Sequence, residues 1–103
     1  MLEKNMSYEE YQARTARIRE AVSKYMVRNH HLINTFDPES LNHITDIGTS
    51  IMIEKWEIGP PAGSFVKAVC NGDLFGAVNC ADSVNQKHLP FYVTLYYNLE
   101  YVS

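Results

Sequence analysis

The side chains able to do chemistry in this chain are few: four histidines, two cysteines and a scatter of carboxylates. A metal site needs three or four converging ligands, commonly from paired short spacings such as His-x-x-x-His. His43 and Asp46 lie three apart and would share a helix face, and His30 and His31 could approach them across a connection. No such His pair occurs, however, and adjacent His30 and His31 point different ways in any regular structure. The histidines therefore read as polar surface residues, and no metal or other cofactor is expected. Cys70 and Cys80 are ten residues apart, form no Cys-x-x-Cys and sit in apolar contexts, so both read as buried, reduced thiols. A reactive thiolate would need a lowered pKa, and no basic pair neighbours either one. Asp73 and Asp82 could pair as acid and base, but each stands where a helix begins and reads as a cap. Gly72 to Gly76 has the wrong spacing for a phosphate cradle, and no Walker loop, dinucleotide fingerprint, Gly-x-Ser-x-Gly or His-Glu-x-x-His is present. The expectation is a protein that is not an enzyme.

Features suited to binding are better represented. Seven Tyr, four Phe and one Trp exceed what a small helical core usually needs, and Tyr92, Tyr96, Tyr97 and Tyr101 cluster near the C-terminus. Tyrosine joins a large rigid contact area to a polar tip and is favoured at interfaces. The alternative use is packing against the tyrosines of the first helix, and the two uses are compatible. Arg14, Arg17, Lys24 and Arg28 could line one helix side and meet phosphates. Glu10 and Glu20 interleave with them and no recognition-helix motif is legible, so nucleic acid ranks last among the binding partners.

Several elements must position these residues. Ser7-Tyr8-Glu9-Glu10 is a capping box, and Tyr8, Tyr11, Thr15, Ile18, Val22 and Tyr25 follow at three- and four-residue gaps. That spacing predicts a helix over about residues 8–28 with one narrow apolar seam, fit for core packing or for self-association. Asn29 to Phe36 reads as a connection. Asp37 as cap and Pro38 at the first helical position open a second helix to about residue 57. Gly48-Thr49-Ser50 could split it, and Ile51 and Ile53 allow a strand at 50–58 instead. Gly59-Pro60-Pro61-Ala62-Gly63 is a firm break. Ser64, Asp73 and Asp82 or Ser83 then read as caps of short helices, the first ended by Asn71-Gly72. Phe91 to Tyr97 is strand-like in propensity yet also carries helical spacing, which periodicity does not separate.

With 103 residues, 46% apolar and 20% charged, the chain suits one globular domain, 1–103, with residues 1–6 as a disordered tail. Nothing approaches the roughly 20 apolar residues of a membrane span, and the N-terminus opens no signal peptide. The formal charge of −3 argues against a nucleic-acid coat. It is unevenly spread: residues 1–28 carry six basic and four acidic side chains, the remainder three and eight. A basic helix lying on an acidic body explains this with no partner.

Gly63-Ser64-Phe65, Val66 to Val69, Asn71-Gly72-Asp73-Leu74, Ala81-Asp82, Asn85 and Tyr97-Asn98 together resemble a pattern found in a group of short proteins encoded by phages and prophages. The similarity covers about residues 59–98. Gly72 replaces an Asn of that pattern, and its Trp-Gly-Ser tail is absent, so contacts built on either would be missing here. The resemblance implies an all-helical fold, which favours helix at 91–97, and a location in the bacterial host cytoplasm. Together with the residues it leads to an all-α single-domain bundle of four to six helices, three of them short ones after the Gly59–Gly63 break. The alternative is α+β with strands near 50–58 and 91–97. It also implies a small accessory protein that binds and inhibits a bacterial defence or host component. The alternative is an oligomeric sponge for a small nucleotide immune signal. A homo-oligomer, most simply a dimer, is expected from the seam and the surplus tyrosines. The binding site is expected where short helix starts converge: Lys67, Asn71, Asp73 and Asn85, flanked by Tyr92 and Tyr96, with the Arg14–Arg17 face as the second candidate.

Overall fold

A computed structural model describes residues 6–103. The expected tail at 1–6 thus falls outside the described residues except for Met6, which is half-buried against the core. The capping box closes as read: Ser7 Oγ accepts from the Glu10 amide at 3.1 Å, and Glu10 accepts from the Ser7 amide at 3.2 Å. Helix α1 runs Tyr8–Arg28. A 3-10 turn at His30–Leu32 leads into α2, Pro38–Lys55, whose cap Asp37 accepts from the Ser40 amide. After the Gly/Pro break come α3 (Ser64–Cys70), α4 (Leu74–Cys80), α5 (Ser83–Lys87) and α6 (Leu89–Asn98). The architecture is all-α, with no strand among the described residues. Four helices follow the break, not three, because Pro90 starts α6 separately from α5.

Three local readings need correction. Gly48-Thr49-Ser50 does not divide α2. Thr45 and Thr49 turn their hydroxyls back onto the carbonyls of Leu41 and Thr45, so they bond along the helix and do not compete with it. The strand at 50–58 is absent for the same reason: α2 continues until Glu57 takes a left-handed φ of 55° and ends it. The cap of α3 is Gly63 in extended conformation, and Ser64 is the first helical residue.

Helix α3 ends as its sequence foretells. Gly72 has φ +68°, its amide donates to Val69 O at 3.1 Å, and the Asp73 amide donates to Ala68 O at 2.8 Å, the paired bonds of a Schellman stop. Asparagine tolerates the same backbone region. Glycine can therefore stand where the phage pattern has Asn without altering the turn.

The described residues share one hydrophobic core, and α6 lies at its centre. Phe91, Tyr92 and Leu95 are wholly buried, each worth about 1.5–3 kcal/mol of burial. The seam of α1 is spent here: Ile18 and Val22 are also wholly buried, and Tyr25 packs on Phe91 with ring centroids 6.0 Å apart. Tyr8, by contrast, is largely exposed. The three helices meet at Gly48, where an added Cβ would stand 2.9 Å from Val22 Cγ1 and 3.0 Å from Leu95 Cδ2. Overpacking such a site costs about 1–3 kcal/mol. Gly48→Val should therefore lower the thermal midpoint by at least about 5 °C in far-UV circular dichroism, despite its better helix propensity.

Candidate functional site

Short helices set the geometry of the region expected to bind. α4 is seven residues long and contains no charged residue, and Ala77 is its one buried side chain. Leu74, Phe75 and Val78 fall on one outward face, 64%, 85% and 42% exposed. Asp73 holds the start of the helix through the Gly76 amide at 2.9 Å. Burying Leu74 and Phe75 would each return about 1.5–3 kcal/mol. The largest contiguous apolar patch on a monomer is often a functional one.

Next to α4 in the chain, the end of α3 from Val69 to Gly72 and Val93, Tyr96 and Tyr97 of α6 enclose a cleft of about 240 Å³. The Tyr96 and Tyr97 rings meet edge to face at 5.1 Å. Lys55 of α2 donates to the Tyr96 carbonyl with its ammonium 4.4 Å from the Tyr96 ring centroid. Tyr97 and Val93 remain substantially exposed at the rim.

Of the residues expected at a binding site, Asn71 and Tyr96 come together in this cleft. Lys67 is exposed one turn before Asn71, and Asp73 is occupied as the α4 cap. Asn85 and Tyr92 are a correction. Both are interior, and the Tyr92 hydroxyl donates to Asn85 Oδ1 at 2.7 Å, so the pair satisfies itself in the core and faces no ligand. Burial, with Asp82 adding to it, holds the Tyr92 phenol well above the usual tyrosine range. Arg14 and Arg17, the second candidate face, line a separate hollow of about 410 Å³ with Glu10, Tyr101 and Ser103. Arg14 is buried against the Tyr101 ring and hydroxyl, and Arg17 donates to Ser103 O at 3.0 Å. Together they strap the C-terminal segment to α1. Arg19 likewise binds Asp46 and Asn42 of α2, so the basic helix does lie on acidic and polar partners of its own chain.

The chemistry-bearing side chains also separate. His43 pairs with Asp82 at 2.9 Å, and His30 and His31 are exposed. His88 overturns the reading of all histidines as surface residues. It is 1% exposed, accepts from the Asn34 amide at Nε2 and binds Val84 O through Nδ1. Those partners select the neutral ring protonated at Nδ1. No group of three His, Cys, Asp or Glu among the described residues could hold a metal. Cys80 is exposed, not buried, because α4 turns it outward with the rest of its surface. Cys70 is half-buried, bonded to Ile51 O at 3.5 Å.

Leu74, Phe75 and Val78 were missed as surface residues because their spacing also fits a core stripe. The available signal was the lack of any charge on α4: a short helix at the surface has a solvent face, and here Asn79 is the one strongly polar residue to fill it. No helix among the described residues is long and apolar enough to cross a membrane. No protein-family model matches the chain, and no curated protein and no solved structure matches it.

Two measurements check this arrangement. At mildly alkaline pH a water-soluble thiol reagent should modify one thiol of the native protein, and Cys80→Ser should abolish that reaction. Cys70 should react on unfolding, since burial first and Glu54 second raise its pKa to about 11 against the opposing effect of Lys55. Tyr92→Phe should cost about 1–3 kcal/mol at neutral pH by leaving Asn85 Oδ1 without its donor. In the wild type the folded state keeps the Tyr92 proton that the unfolded state releases near pH 10. Its stabilising effect is fully present below that pH and is lost as pH rises further, and Tyr92→Phe should flatten the alkaline decline.

Proposed function

We propose that this protein is a non-enzymatic binding protein that occupies a protein partner through the apolar face of α4 and the adjoining α3–α6 cleft. One observation carries the reading: Leu74, Phe75 and Val78 stand exposed on one face of an uncharged helix. Apolar and aromatic anchors at the centre of a patch, ringed by polar groups, are what a protein interface needs. Asn71, Asn79 and Lys67 supply polar groups on α3 and α4. The resemblance of residues 59–98 to phage and prophage proteins directs the choice of partner to a bacterial defence or host component, which binding would inhibit.

The nucleotide-sponge reading gains less from the geometry. None of the residues lining the α3–α6 cleft is cationic, and in the Arg14–Arg17 hollow both guanidinium groups are engaged by Tyr101 and Ser103 of the C-terminal segment. A nucleotide pocket needs a charged or amide-rich end for phosphate as well as an aromatic face.

The test uses the immobilised protein in bacterial lysate, followed by titration with the purified retained protein. Phe75→Asp should weaken that binding by about 2 kcal/mol, some thirtyfold. It should leave the thermal midpoint within a few degrees of the wild type, because Phe75 is exposed. Unchanged affinity in both Phe75→Asp and Leu74→Asp would refute the α4 surface. A thermal shift with cyclic or linear nucleotides, lost in Tyr96→Ala, would instead support the sponge.

A further inference from the structure

A second apolar surface lies elsewhere on the molecule, at the turn between α1 and α2. There the last turns of α1, the connection and the first turns of α2 enclose an open groove of about 370 Å³. Met26, Val27, Ile33, Phe36 and Leu41 form its apolar lining. Phe36 is 99% exposed and Val27 74% exposed, although both border a hollow that side chains of their size would fill. Three of the four polar lining residues have partners within the chain, Thr35 Oγ1 accepting from the Asp37 amide at 3.0 Å. Thr45 donates to Leu41 O at 2.9 Å, and His30 Nδ1 meets Val27 O at 3.3 Å. A small molecule entering the groove would find few groups to orient it.

We infer that this groove is a self-association site whose occupant is the same groove of a second copy of the chain. A projecting Phe beside a hollow on one patch is self-complementary, which a two-fold pair requires. Charge supports the same occupant. Helix α1 carries exposed Lys24 and Arg28 beside the groove, Lys24 3.4 Å from Glu20 and the Arg28 guanidinium 5.7 Å from the Tyr25 ring centroid. The start of the α2 wall carries exposed Asp37 and Glu39. A two-fold axis along the groove sets each α1 wall over the other copy's α2 wall. Because the connection joins both walls at the same end, Arg28 and Lys24 then come level with the second copy's Glu39 and Asp37, within reach of these long side chains once they leave Tyr25 and Glu20. Area sets the strength. A standard interface uses about 20–30 residues and 800 Å² a side. The nine residues of the groove and its four flanking charges are fewer than that, which puts the pair among the small, reversible interfaces. The inference does not depend on the α4 surface. It also replaces the α1 seam as the means of association, since Ile18, Val22 and Tyr25 are buried within the chain.

Sedimentation equilibrium over a micromolar dilution series tests it. The wild-type mass should rise from 11.8 kDa towards twice that value. Phe36→Asp should hold the monomer mass at every concentration with an unchanged circular dichroism spectrum, and Phe75→Asp should dimerise like the wild type. Arg28→Glu and Glu39→Arg should each weaken association about tenfold. An equimolar mixture of those two single variants should recover it, since a mixed pair restores opposite charges at both crossings. A monomeric wild type overturns the inference, as does a dimer that Phe36→Asp leaves intact or a mixture no tighter than its components. A monomer that loses its lysate partner on Phe36→Asp would assign the groove to a foreign protein, and so overturn it too.

Discussion

The fold depends on the near contact of three helices at a position that has no side chain. Gly48 lets α2 approach Val22 of α1 and Leu95 of α6 so closely that a single methyl would press on both. That approach lets α6, with three wholly buried large side chains, serve as the centre of so small a protein. It also explains why a glycine in the middle of α2 does not end the helix. Its unfavourable helix propensity, about 1 kcal/mol, is offset by the packing it permits on two sides.

Polar groups inside this core are few and, Thr15 Oγ1 apart, paired, and two of the pairs join different elements. Tyr92 of α6 bonds Asn85 of α5, and His88 reaches from the junction of those helices to the Asn34 amide in the connection after α1. An unpaired buried polar group costs about 1–3 kcal/mol. Each of these bonds therefore selects one arrangement of the short helices against its alternatives. The connection that carries Phe36 is held from behind by His88, which gives the groove between α1 and α2 a fixed end. At the opposite end of α1, Arg14 and Arg17 hold the C-terminal segment, and Tyr101 packs edge to face on Trp56 at 5.0 Å. The basic surplus of α1 is thus largely consumed by its own chain.

The surface left over is unusual in having two apolar areas on different elements, the α4 face and the α1–α2 groove. Both arise where helices are short or end. A helix of seven residues between Asp73 and Asp82 contributes one small side chain to the core, and its other apolar residues have nowhere inside to go. The same Schellman stop that sharply ends α3 sets Asn71 and Gly72 at the mouth of the cleft against Tyr96 and Tyr97. The candidate binding surface is therefore a consequence of how the helices terminate.

Local signals in the sequence determined the elements. Ser7 with Glu10, Asp37 with Pro38, the Gly59–Gly63 break, Asn71-Gly72, Asp73 and Asp82 act within about one helical turn, so residues 7–10 or 71–73 suffice to read them. The period of Ile18, Val22 and Tyr25 was legible for the same reason. Asn71 and Tyr96 could be anticipated at one site because each lies on an element whose ends were already clear. What tertiary structure alone decided was which side of each short helix faces inward. Tyr92 and His88 became interior, while Leu74, Phe75 and Cys80 became surface. Over seven to ten residues an apolar stripe looks alike whether it meets a neighbour or water. Its burial is set by distant partners, Asn34 for His88 and Gly48 for Leu95, whose proximity no local spacing encodes.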